Sequence, residues 1–136
     1  MTARETTEDA AERPGKVIDS PRLPLGRRGE SIAAHFLTDL GYTIVDRNWR
    51  FGRAGEIDII ARDGEALVFI EVKTRSGDQH GTPFEAIDAR KMRQLRALVG
   101  RWLQSNEGWP GPVRIDAIGV RMRRDGLQLE HRRGVR

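Results

Sequence analysis

Residues 55–75 read GEIDIIARDGEALVFIEVKTR. Two β-rich runs flank Asp63-Gly64, a dipeptide that is a strong short-range hairpin signal. Yet Glu56, Asp58, Glu71 and Lys73 interrupt runs in which leucine or threonine would make a more stable pair of strands. Symmetric pairing about the turn predicts Ala61 opposite Ala66. It follows that Glu56 faces Glu71, Asp58 faces Phe69 and Ala54 faces Lys73, with Asp58 and Glu71 as diagonal neighbours. Side-chain alternation then gathers the four charged residues on one face. Like charges directly opposite each other destabilise a sheet, so the cluster needs a compensating cation or a route to solvent, and Lys73 brings only one positive charge. A solvated face is the plain reading. Leu67 and Phe69 share that face with Glu71, however, and the unbroken ALVFI of residues 66–70 predicts a strand covered on both sides, with its acidic end at the rim of a site.

Converging carboxylates without histidine or cysteine are hard oxygen donors, suited to Mg²⁺, Mn²⁺ or Ca²⁺ and poorly suited to zinc. A divalent ion there would lower the pKa of a bound water and neutralise a phosphodiester. Lys73, on the same face as Glu71, would orient that water or stabilise the transition state. The hairpin geometry alone leaves a structural charge cluster open as the alternative.

Working outward, the chain has 136 residues, enough for one compact domain and too few for two ordinary ones. With 38% hydrophobic and 32% charged residues it has the make-up of a soluble globular protein, and its longest apolar run is far short of a membrane span, so no membrane association is expected. The N-terminus MTARETTEDAAERPGK has no apolar signal region, and the lack of cysteine excludes disulfides, thiolate metal sites and cysteine nucleophiles; a cytoplasmic location is expected. Residues 1–23 lack apolar periodicity and are expected to form a disordered tail, with residues 24–136 as the domain. The net charge is +4, and since the tail carries four basic and five acidic side chains, the domain is near +5, which points to a polyanionic partner.

In LGRRGESIAAHFLTDLGY, Ile32, Ala33, Phe36, Leu37 and Leu40 recur at helical steps and Gly41 ends the run. Glu30 falls on or beside the buried stripe of this first helix. YTIVDRNWR reads as a strand, and a basic FGRAG loop separates it from the hairpin. After a loop over residues 76–83, IDARKMRQLRALVGRWLQ forms a second amphipathic helix. VRIDAIGVRM and LQLEHRRGV form two last strands. The expected fold is a single α/β domain with a mixed central sheet flanked by two main helices, in the order α-β-β-β-α-β-β.

At this point a resemblance emerges. Asp58, twelve residues, then Glu71-Val72-Lys73 resembles the PD-(D/E)xK nuclease signature, and an upstream helical acid, Glu30, is similar to that of the archaeal Holliday junction resolvases. Taken together, GRRGESIAAHFLTDLGYTIVDRNWR, the hairpin, AIDARKMRQL and RIDAIGV resemble the bacterial YraN-type family of small predicted endonucleases over residues 25 to about 130. The resemblance implies a restriction-endonuclease-like core in which Asp58, Glu71 and the Val72 carbonyl hold Mg²⁺ or Mn²⁺, Lys73 acts at the attacking water and Glu30 approaches from the first helix as a further, catalytic metal or water ligand. The departure is Ile57, where the signature's name expects proline. The activity implied is metal-dependent endonucleolytic cleavage of DNA, structure-selective for branched DNA or nonspecific. The alternative is a nucleic-acid-binding protein whose nuclease site is vestigial or serves a partner. Two subunits act together in the resolvases, which raises a homodimer as one arrangement, though no segment here marks an interface.

Arg27, Arg28, Arg47, Arg50, Arg53, Arg75, Arg90, Lys91, Arg93 and Arg96 flank the proposed site in sequence. Arg28, Arg50, Arg53, Arg75 and Lys91 are the selected phosphate contacts. Asp116, a lone acid in an apolar strand, is read as ion-paired to Arg114 or to an arginine of the second helix rather than as a metal ligand. His35, His80 and His131 have no partners at ligand or triad spacing and read as ordinary polar residues, His131 in a basic tail. Trp49 reads as packed rather than base-stacking, Trp102 and Trp109 as packing residues, and Ser31 and Ser76 have no triad partners.

Overall fold

A computed structural model describes residues 22–77 and 81–136. Most of the expected tail, residues 1–21, and His80 with its neighbours in the 76–83 loop lie outside the described residues. The elements are α1 (Leu25–Asp39), β1 (Thr43–Arg50), β2 (Glu56–Asp63), β3 (Ala66–Ser76), a short 3₁₀ helix (Pro83–Ala86), α2 (Ala89–Ser105), β4 (Val113–Arg123) and β5 (Gly126–Arg132). The strands form one sheet in the order β1-β2-β3-β4-β5, with β3 and β4 parallel and the other neighbours antiparallel. The expected mixed sheet with two main helices is therefore what the chain forms, the 3₁₀ helix being the one addition.

The pattern that predicted α1 also explains how it packs. Ile32, Ala33, Phe36 and Leu37 pack on Ile59, Ala61, Val68, Ile70, Ile118 and Leu129 of the sheet. Beyond Leu40 the Gly41 amide donates to the Thr38 carbonyl and the Tyr42 amide to that of Leu37, the paired bonds that close a helix C-terminus. Asp88 caps α2 by accepting from the Lys91 amide at 2.9 Å. On the opposite face of the sheet, Leu98, Val99 and Trp102 of α2 cover Ile57, Ile60, Leu67 and Phe69, with Trp102 edge-on to Phe69 at 5.6 Å. β3 is thus buried on both faces, as ALVFI predicted. Each fully buried Ile, Leu or Phe of this kind contributes about 1.5–3 kcal/mol, so the hairpin's middle is anchored from both sides.

The hairpin register differs from the expectation. Asp63 pairs with Ala66 and Ile59 with Ile70, leaving Gly64-Glu65 as a two-residue loop in which Gly64 takes the positive φ of +59°. Asp63 is not in the turn because it closes the ladder, and its carboxylate accepts from Arg114 of β4 at 3.0 Å. The slip is two residues, so the faces survive but every partner changes. Past the last pair, Ile59 and Ile70, the next positions along are Asp58 and Glu71. The ladder's pairing stops there, and the Asp58 carboxylate accepts instead from the Val72 amide of β3. Strict alternation also fails there, because Ile57 packs on the α2 side and Ile59 on the α1 side.

Candidate functional site

The site lies where the β2–β3 ladder ends. The Val72 amide donates to Asp58 Oδ2 at 2.8 Å, so the carboxylate occupies a backbone donor of β3. Glu71 continues the face of Leu67 and Phe69 beyond the reach of the α2 apolar stripe. Asp58 is 8% exposed and Glu71 3%, so two carboxylates are withdrawn from water side by side. Burial, then the charge of Glu71, push Asp58 up to about 8 against an ordinary value of 3.8, with Glu30 adding to the rise and the Val72 amide opposing it. Burial and the Glu71 charge thus favour the protonated form of Asp58 in the folded protein.

Two ammonium groups meet Glu71: Lys73 Nζ lies 3.6 Å and Lys91 Nζ 3.3 Å from its Oε2. Lys73 was expected here and Lys91 was assigned to phosphate instead. Lys91 is spaced four and seven residues before Leu95 and Leu98, both buried, and that spacing carries it onto the inward face of α2, where it reaches the acid.

Glu30, Asp58, Glu71, Val72 and Lys73 line one cavity of about 400 Å³, with Arg50, Arg75 and Lys91 on its walls. α1 contributes Gly26 from its first turn and Glu30 from its second, and α2 contributes Lys91 from its first and Gln94 from its second. Glu30 is committed to other partners: Asn48 Nδ2 donates to its Oε1 at 2.7 Å and Arg27 at 3.0 Å. Glu56 pairs with Arg27 at 3.3 Å and Arg50 at 3.8 Å, so it is an ion-paired wall residue, not a partner of Glu71. Arg28 and Arg53 do not line the cavity; Arg53 is exposed on the β1–β2 turn. Arg47 turns to Ser31, and Arg90, Arg93 and Arg96 are exposed on α2.

The donor set suits a hard cation in kind, being all oxygen with no histidine or thiol in the cavity lining. Two adjacent buried carboxylates, one forced to retain its proton, form a place where a divalent ion would relieve repulsion. Among the described residues, however, no three His, Cys, Asp or Glu side chains are gathered as a ready-made ligand set. In kind, the residues fit a two-carboxylate site at Asp58 and Glu71.

Elsewhere the structure corrects one reading. His131 belongs to β5 rather than to a tail, is 2% exposed, and its Nε2 lies 2.8 Å from Asp116 Oδ2. Its two-residue spacing from buried Leu129 was the sequence signal for an inward side chain. Asp116 also accepts from Arg114 at 3.0 Å, as expected, and from the Gly134 amide at 3.0 Å. Burial acts to raise its pKa, but His131 and Arg114 outweigh it and hold Asp116 below the ordinary value. This buried network lies apart from the cavity's lining and ties β4, β5 and the C-terminus together. His35 sits half-buried on α1 with its Nε2 buried and unpartnered. Trp49 packs against the α2-side core, and Trp109 Nε1 donates to the Glu65 carbonyl at 3.0 Å. No helix among the described residues is long and apolar enough to cross a membrane.

Residues 29–120 match the model of "Uncharacterised protein family UPF0102". A UPF0102 protein of Streptomyces coelicolor is 50% identical over 116 residues, covering 84% of this chain and 89% of the relative. One from Leifsonia xyli subsp. xyli is 54% identical over 96 residues, 71% of this chain and 80% of the relative. One from Streptomyces griseus subsp. griseus is 50% identical over 116 residues, 84% and 97% of the two chains.

Proposed function

This chain belongs to the uncharacterised protein family UPF0102, whose description states no activity, and from its own residues we propose that it is a metal-dependent DNA endonuclease of the PD-(D/E)xK type. The observation that carries the reading is the buried Asp58–Glu71 pair, held with Lys73 in a cavity whose walls bear Arg50, Arg75 and Lys91. Asp58, Glu71 and the Val72 carbonyl would hold Mg²⁺ or Mn²⁺. When bound, the ion supplies Lewis-acid neutralisation of a phosphodiester and a water of lowered pKa.

The chain's own residues do the rest. The Val72 amide fixes the Asp58 carboxylate, so its orientation costs nothing further when a substrate arrives. Glu71 keeps the Lys73 ammonium within reach of the same spot, where it would orient a water or meet charge developing on phosphate. Arg50 and Arg75 would take flanking phosphates, and the first turns of α1 and α2 in the wall favour anions further. Glu30, held by Asn48 and Arg27, acts on the site by its charge on Asp58.

A second reading has its own support. Lys73 and Lys91 together neutralise Glu71 without any metal, which is what a nucleic-acid-binding protein with a vestigial nuclease site would retain. One assay separates the two: branched, single-stranded and linear duplex DNA incubated with the protein in Mg²⁺ or Mn²⁺, beside a Glu71→Ala, Lys73→Ala double variant. Cleavage that the variant loses supports the nuclease. Binding without cleavage on every substrate favours the vestigial site, and no binding at low salt removes nucleic acid altogether.

A further inference from the structure

We propose that Phe51 is a stacking platform for an unpaired nucleobase, which makes single-stranded or branched nucleic acid, rather than uninterrupted duplex, the substrate class of the cavity. The inference rests on the nucleic-acid reading above and deepens it. Phe51 is the only aromatic among the large hydrophobic side chains that the described residues leave exposed, at 38%. It opens the turn between β1 and β2, where its amide donates to the Gly55 carbonyl at 3.1 Å and its carbonyl accepts from the Ala54 amide at 3.0 Å. Gln94 of α2 pins the same turn by donating to the Ala54 carbonyl at 2.8 Å. Arg50, Gly55 and Gln94, which bracket and hold the turn, all line the cavity. Phe51 therefore stands on a tethered turn whose neighbouring residues line the cavity.

What surrounds its ring is the second observation. Trp49 stacks on Phe51 with centroids 5.9 Å apart and planes 28° from parallel, and Trp49 is itself seated against the α2-side core. The Arg101 guanidinium lies over the Phe51 ring at 5.1 Å. The core thus extends outward as a short ladder of planar groups, indole, phenyl, guanidinium, with its outer part in solvent. With Trp49 on one face of Phe51 and Arg101 over the other, a nucleobase would enter by displacing the exposed Arg101 side chain, and would then stack on the phenyl face and under the guanidinium plane alike. Arg50 and Arg53 flank the ring in the chain and match the charge of the strand that would carry the base. Paired bases in a continuous duplex are already stacked on one another and present no free face to Phe51.

The test uses the full chain in EDTA, which separates binding from cleavage. The probes are a single strand and a flapped duplex, each with 2-aminopurine in the unpaired segment, and a fully paired duplex of the same sequence. Phe51→Leu removes the ring and keeps apolar bulk, while Phe51→Tyr keeps the ring; thermal unfolding checks that both fold like wild type. The inference expects quenching of 2-aminopurine by wild type and Phe51→Tyr. It also expects Phe51→Leu to bind the unpaired probes about tenfold more weakly, with its affinity for paired duplex unchanged. If Phe51→Leu binds and quenches like wild type, the stacking role is wrong while the nucleic-acid reading stands. If Phe51→Leu weakens all three probes equally, the side chain carries no preference for unpaired bases and the inference falls. If wild type binds none of them at low salt, the reading on which it rests fails first and the inference with it.

Discussion

Replacing Asp58 with asparagine should stabilise the metal-free protein, and by more as the pH rises. Burial and the neighbouring Glu71 charge push Asp58 from 3.8 up to about 8, so folding favours its protonated form. Because the folded value lies above the unfolded one, the stability linked to this proton is fully present below 3.8 and is lost progressively as pH climbs through about 8. Asparagine does not titrate, and its carbonyl oxygen can still accept the Val72 amide that Asp58 accepts at 2.8 Å. Each pH unit in that window costs wild type at most ~1.4 kcal/mol, so between about pH 5 and about pH 8 the two proteins should diverge by at most ~4 kcal/mol. Water entering the cavity screens part of this, and a divergence of about 2 kcal/mol is expected. The assay is urea unfolding of both proteins in EDTA at several pH values, with only the difference between them used, so that other titrations cancel. A difference that stays constant across the range, or an asparagine variant that loses stability at about pH 8, would refute the argument that these carboxylates repel each other. Excess Mg²⁺ provides a companion measurement: wild type should gain stability by mass action, and the variant should not.

Two further outcomes test how the site is held. A Cβ on Gly29 would run into the Thr74 side chain, because α1 crosses β3 with no room for a side chain. Gly29→Ala should therefore cost about 1–3 kcal/mol in chemical denaturation despite alanine's better helix propensity, and Thr74→Ala should relieve part of that cost in a double-mutant cycle. His131→Ala strips one partner from the wholly buried Asp116 and should destabilise by about 3–5 kcal/mol, measured by thermal or urea unfolding; neither residue lines the cavity. Asp116 itself, held below 3.8, contributes stability that is present above that value and lost as pH falls through the lower folded one, so the variant should also show a weaker acid limb in a pH–stability profile.

Local chemistry made much of this protein readable from its chain. The three-and-four spacing of Ala33, Phe36 and Leu37 produced α1, and the apolar run of residues 66–70 announced a strand buried on both faces. Asp58, Glu71 and Lys73 stood out because charge is costly in such runs, and that cost holds whichever partner each residue meets.

The tertiary structure decided what no local pattern holds: who faces whom. In the hairpin, Asp63 pairs with Ala66 and its carboxylate accepts from Arg114 of a distant strand, a contact that no local spacing announces. The second cation at Glu71 came from Lys91 on another element, and Glu30 was captured by Asn48 and Arg27. His131 found Asp116 only because β5 folds back beside β4. A buried charge is stabilised by whichever opposite charge or donor the fold brings within about 3 to 4 Å, and such closeness between distant residues is a property of the packed chain, set by contacts that individual residue spacings do not encode.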